Sequence, residues 1–238
     1  MGSGSEVLDG EMKKVETPWG VVELMVNGKA ALVSRHGEKH ERLPHHINYR
    51  ATIWALKEIG CKAIVSFTVV GSLNSELELG APYIVEDLYF PDNRLPGGDA
   101  CSFFDKAGMK GRGHLIAGSL FNSALNAEIG DYKKVCYVHS IGPRFNTKCE
   151  IAAFKAVGGD VISQTCGPEA VLANELEIPY AVLAFAIDYA NGVSEVPTGM
   201  DELNANLVKS ADLFKAAVEK LSNMDLEAVK FENFVYRF

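Results

Sequence analysis

The chain has 238 residues, of which 47% are hydrophobic and 23% charged, with a formal net charge of −8. That balance fits one globular domain over residues 1–238 with ample material for a core. The acidic charge argues against a broad grip on nucleic acid or an anionic membrane, and no apolar run reaches the roughly 18 residues of a membrane span. Neither point bears on a small local anion site. Five cysteines, at 61, 101, 136, 149 and 166, form no C-x-x-C pair. With no basic-then-apolar leader, they read as free thiols of a cytoplasmic protein.

Met1 to Ser5, MGSGS, has the composition of a cloning linker. Val21–Val26 and Lys29–Ser34 then flank Asn27-Gly28, a dipeptide suited to a two-residue hairpin. The hairpin delivers the chain to Arg35-His36-Gly37, where glycine lets the backbone turn or approach a ligand. An amphipathic helix follows from Asn48 to Ile59, with Gly60 placed as its C′ residue. Ala63 to Phe67 reads as a buried strand that ends in Thr68-Val69-Val70-Gly71-Ser72. A fixed cation, a histidine and a hydroxyl-bearing strand end can make a pocket for an oxyanion such as phosphate. They also fit a basic turn before an ordinary βα unit, and residue types alone leave both readings open.

Ala81–Phe90 is another strand, and Pro91–Gly113, rich in Gly, Asp and Pro, is a long loop of the kind that forms lids or stays mobile. Leu115–Glu128 has helical spacing and ends at Gly130. Val135–Val138 is a short strand. Thr147 with Glu150 matches a capping box, so a helix is expected to about Val157. Asp160–Ser163 is a strand, and Pro168-Glu169 opens the next helix. Tyr180–Ile187 is the most strand-like run, with Asp188 at its end, and Asp201–Leu221 makes a long amphipathic helix. Alternating strands and helices point to a three-layer α/β domain.

The spelling of these segments carries more than their periodicity. Arg35-His36-Gly37-x-x-His40-x-x-x-Pro44, Asn48-Tyr49-Arg50-Ala51-x-Ile53-Trp54-Ala55-Leu56 and Gly71-Ser72-Leu73 form one block. Gly142-Pro143-Arg144-Phe145, Glu150, Gly159-Asp160-Val161, Pro168-Glu169-x-Val171-Leu172-Ala173 and Asp188-Tyr189 form a second. In this order they resemble the methylthioadenosine phosphorylase and purine nucleoside phosphorylase family, and the methylthioadenosine branch above the others. The resemblance implies a mixed central sheet flanked by helices and phosphorolysis of a purine nucleoside. It implies inorganic phosphate as co-substrate, no other cofactor, and a homotrimer in which a neighbour completes the sugar pocket.

By the same resemblance, phosphate is held by Arg35, His36, Thr68, the backbone N–H of Val69, and Thr165. Met1–Ser5 then acquires a second reading as the family's glycine turn, which adds Ser3. Phe145 would stack on the purine and Asp188 would bond its edge near N7. By themselves, Thr68 and Thr165 read as β-branched strand residues, Phe145 as a core aromatic and Asp188 as a helix cap. His36 and His40 have a spacing that suggests metal, but Gly37 argues against a helix there and no third ligand lies nearby.

Three positions depart from the family pattern. Gln164 stands where a methionine usually packs under the ribose, Ala190 where the methylthioadenosine branch has a second aspartate, and Asn146 at the base edge. Asn146 carries both a donor and an acceptor, so it suits a 6-oxo as well as a 6-amino purine. These departures also keep open a relative that binds nucleoside or phosphate without turnover, as a sensor or scaffold.

Overall fold

The computed structural model describes residues 7–238; the expectation for Ser3 lies outside them. Three antiparallel strands open the described chain, in the order β1 (Glu11–Thr17), β2 (Gly20–Val26) and β3 (Ala31–Leu32). The β2–β3 connection is not the two-residue hairpin expected from Asn27-Gly28. Val26 pairs with Ala31, which leaves four residues in the loop. Asn27 shapes it by accepting from the amides of Lys29 and Ala30 through its side-chain oxygen.

The central sheet has five strands: β4 (Ile64–Ser72), β5 (Pro82–Tyr89), β7 (Lys134–His139), β8 (Val161–Ser163) and β9 (Tyr180–Tyr189). They follow the order β4-β8-β7-β5-β9, and β9 returns to pair with β4, closing the sheet on itself. The pairing is mixed: β4–β9, β5–β7 and β7–β8 are parallel, while β4–β8 and β5–β9 are antiparallel.

Strand alternation divides the core into two faces. Tyr180, Val182, Ala184 and Ala186 of β9 pack with α1 (Tyr49–Glu58) and α4 (Cys166–Glu175). Ala181, Leu183 and Phe185 pack instead with α2 (Ser123–Ile129) and α5 (Met200–Leu221). This is the expected arrangement of a mixed sheet between helical layers. A further helix, α3 (Lys148–Ala156), rests Ile151 on Leu73 and Val138.

Two elements differ from expectation between Leu115 and the C-terminus. Gly113–Ile116 is a strand, β6, paired antiparallel with β10 (Phe234–Arg237), and the helix begins only at Ser123. Asn122 caps that helix by accepting from the Leu125 amide. The helix expected from Pro168 instead starts earlier, at Cys166 with Thr165 as its N-cap residue.

The Pro91–Gly113 loop is pinned rather than free. Buried Arg50 on α1 donates to the carbonyls of Ser102 and Ala100 and pairs with Asp99. Glu175 accepts from the Phe103 amide at 2.7 Å, and Cys101 and Phe103 are buried in the core.

Candidate active site

Two turns and three strand ends build the site. Gly37 sits at φ +81° and its amide donates to Ser34, which closes a tight turn carrying Arg35 and His36. The positive φ is what favours glycine here, since a Cβ at Gly37 would meet only the movable Glu41 carboxylate. His36 Nδ1 lies 2.8 Å from the Arg42 carbonyl, which can only accept. The proton therefore sits on Nδ1 and Nε2 is left for a ligand. Burial lowers the His36 pKa, favouring the neutral ring.

Arg35 is held from two sides. Its Nη1 donates to Thr165 Oγ1 at 2.9 Å, and its Nε faces Glu169 Oε1 at 3.2 Å. Burial opposes the guanidinium charge, but the Glu169 carboxylate and its neighbours more than offset this and raise the pKa. Thr68 Oγ1 stands 3.5 Å from Thr165 Oγ1, so the two hydroxyls and the guanidinium converge. Thr165 owes its place to the α4 N-terminus, where Tyr137 Oη accepts from the amides of Thr165 and Cys166.

The backbone of β4 adds amides to this group. Ile64 N–H donates to Pro179 O on the β9 side, so Ile64, Ser66 and Thr68 turn their backbone groups toward β9. Alternation turns those of Val65, Phe67 and Val69 to the other edge. Among the described residues, β8 pairs that edge only at Gly71 and Ser72. The Val69 N–H is thus directed at the cleft it lines.

Asp188 lies where the β4–β9 register breaks: Val70 pairs with Ala186 but Gly71 with Asp188, making Ile187 an extra residue. Such bulges re-aim side chains near sites. Asn206 of α5 steadies this one by donating to the Ile187 carbonyl. Asp188 belongs to a strand and not to a helix cap. Burial pushes its carboxyl up to about 6. Opposite it, Gly71 is the open side, since a Cβ there would come 3.3 Å from Asp188 Oδ1.

Phe145 is 80% exposed, which rules out the core-aromatic reading. It follows Arg144, whose guanidinium grips Glu150 at 2.8 and 2.7 Å. Glu150 also completes the capping box with Thr147 and accepts from Asn146 Nδ2 at 3.3 Å. Because a carboxylate only accepts, one Nδ2 hydrogen of Asn146 is committed there, and its second Nδ2 hydrogen and Oδ1 remain for a ligand. Gln164 Nε2 donates to the Arg144 carbonyl, and its side chain occupies the space that a Cβ at Gly142 would need.

Arg35, His36, Thr68, Val69, Phe145, Asn146, Gln164, Thr165 and Asp188 all line one cleft of about 1340 Å³. It exceeds the roughly 300–1,000 Å³ of ordinary ligand pockets, because it continues past the expected residues to Leu207 and Phe214. The role missed from sequence is that of Glu169. The residue stands in the Pro168-Glu169-x-Val171-Leu172-Ala173 motif, but its contacts join segments far apart in the chain.

A site with an oxyanion pocket at one end and an exposed aromatic with a protonatable carboxyl at the other suits a group transfer between an anion and a flat, nitrogen-rich ring. Comparison with known proteins agrees. Residues 7–223 match the Phosphorylase superfamily, and the chain belongs to it. It is 35% identical to a 6-oxopurine nucleoside phosphorylase of Pyrococcus furiosus, over 81% of this chain and 79% of that one. It is 33% identical to an S-methyl-5′-thioadenosine phosphorylase of Caenorhabditis briggsae, over 95% and 87%. Among solved structures, a methylthioadenosine phosphorylase from an antarctic soil metagenomic library superposes with TM-score 0.76 at 26% identity, covering 93% of this chain and 83% of that one. The Schistosoma mansoni methylthioadenosine phosphorylase in complex with adenine does so with TM-score 0.77 at 25% identity, covering 95% and 91%.

Proposed function

We propose that the chain cleaves the N-glycosidic bond of a purine nucleoside with inorganic phosphate. Free base and a ribose 1-phosphate or methylthioribose 1-phosphate are the products, and 5′-methylthioadenosine is the favoured substrate. The observation that carries this reading is the convergence of Arg35, Thr68 and Thr165 in the cleft that also holds Asp188. Phosphate accepts from the Arg35 guanidinium, the two threonine hydroxyls and the Val69 amide, and donates its own P–OH hydrogen to the unprotonated His36 Nε2. The departing purine stacks on Phe145 and takes a proton at N7 from Asp188, which neutralises the leaving base. Fixed donors stabilise the anion as the sugar gains positive charge. This reading needs no metal and no organic cofactor.

At the base edge, Asn146 keeps both a donor and an acceptor and so supports a base range that includes 6-oxo as well as 6-amino purines. With one Nδ2 hydrogen given to Glu150, Oδ1 can accept from a 6-amino group and the second Nδ2 hydrogen can donate to a 6-oxo group. The relatives named above include both 6-oxopurine and methylthioadenosine enzymes, so rates on methylthioadenosine, adenosine and inosine decide this point. We expect purified protein to release base from inosine as well as from the two 6-amino nucleosides, and only in the presence of phosphate. Total refusal of inosine would overturn the two-way role given to Asn146.

The resemblance to this family also supports a homotrimer whose neighbouring subunit completes the sugar pocket, and a monomer mass by light scattering under assay conditions would refute it. No helix among the described residues is long and apolar enough to cross a membrane. Together with the unpaired thiols of all five cysteines, this supports a cytoplasmic enzyme.

A further inference from the structure

We propose that Glu169 is a positioning residue for phosphate, whose buried carboxylate locks the Nε edge of Arg35 so that the rest of the guanidinium is presented to the anion. The inference rests on the phosphate reading above.

Glu169 is 3% exposed and sits in the first turn of α4. Its Oε2 accepts from Ser66 Oγ at 2.7 Å and from Tyr180 Oη at 2.9 Å, while Oε1 faces Arg35 Nε at 3.2 Å. Ser66 belongs to β4 and Tyr180 to β9, and both are buried. A carboxylate gripped by two adjacent strands and carried by a helix cannot swing, so it is a fixed stop for the guanidinium. Thr165 Oγ1 takes Nη1 as the second stop. With Nε and Nη1 both engaged, rotation about the end of the arginine side chain is removed. Arg35 lines the cleft with its guanidinium already oriented, which saves the cost of ordering it when the ligand binds.

Charge alone argues the other way. Glu169 places a negative group beside the cation that should attract phosphate, so by Coulomb's law its removal strengthens anion binding. Nor is bulk stability a sufficient reason for the pair, because buried ion pairs often stabilise no better than apolar replacements. Orientation and charge therefore make opposite forecasts for one substitution, and that separates them.

The test is Glu169→Gln, with phosphate and nucleoside varied independently in steady-state assays. If Glu169 positions Arg35, KM for phosphate rises on the order of tenfold, the worth of one charge-assisted hydrogen bond. KM for the nucleoside moves far less. A phosphate KM that is unchanged or lower overturns the proposal. Should Glu169→Gln fail to fold, Ser66→Ala and Tyr180→Phe each release one side of the carboxylate while keeping the ion pair. Each is expected to raise the phosphate KM about two- to fivefold, a fraction of the same hydrogen-bond worth. No selective effect in either variant overturns the proposal as well. Wild-type protein without phosphorolysis would instead sink the functional reading itself, whereas an active wild type with indifferent variants sinks only the role of Glu169.

Discussion

Asp188 is desolvated without a cationic partner, and this determines both what it can do and what it costs. Its carboxyl titrates at about 6, above the ordinary value of 3.8. Between those values the folded chain keeps a proton that the unfolded chain has lost. This group's contribution therefore makes stability fall as pH rises through that window and level off above about 6. Its use as an acid has the same direction: kcat/KM for the nucleoside should decline above about 6, where the free enzyme loses the proton. Asp188→Asn keeps the shape, removes the acid and should lower turnover on the order of 100-fold with phosphate binding retained. It should also remove this limb of the pH profile, leaving the titration of phosphate common to both proteins. Near-wild-type turnover in the variant would contradict the acid role. Asp188 and Arg35 could be picked out in the sequence because each sits beside a distinctive local spelling. Glu169 stands in such a spelling too, but its role could not be read there, because Ser66, Tyr180 and Arg35 become its neighbours only when β4, β9 and the turn after β3 assemble.

At the scale of elements, α3 links a fold signal to the base pocket. Thr147 and Glu150 exchange the two hydrogen bonds of a capping box, and the same Glu150 holds Arg144 and Asn146 beside Phe145. Thr147→Ala should cost about 1 kcal/mol in urea unfolding, as lost N-caps do. A loss indistinguishable from zero would mean that the cap is idle. This helix start was legible because its chemistry is confined to four consecutive residues. The helix expected over Leu115–Glu128 was misread for the opposite reason. Its first residues pair with Phe234–Arg237, and no local period announces a partner at the other end of the chain. β1 was overlooked because Glu11, Lys13 and Lys14 are exposed, so it lacks the alternating apolar face by which strands are recognised. α4 begins ahead of Pro168 because Tyr137, from a different strand, receives the first amides of the helix.

Over the whole molecule, a closed mixed sheet with helices on two faces brings the turn after β3 and the ends of β4 and β9 to one cleft. The fold accounts for the order of the motifs: those before Leu73 bring Arg35, His36, Thr68 and Val69 to the cleft, and those after Gly142 bring Phe145, Asn146, Gln164, Thr165 and Asp188. The two halves meet across the Thr68–Thr165 and Arg35–Glu169 contacts, so neither block builds the site alone. The central claim is that phosphate, and not water, accepts the sugar. Phosphorus NMR of purified protein incubated with methylthioadenosine and phosphate tests it most directly. The expected result is a new sugar-phosphate ester signal that grows in step with free adenine and vanishes when phosphate is omitted. Adenine released without that ester, or no adenine at all, would contradict the account.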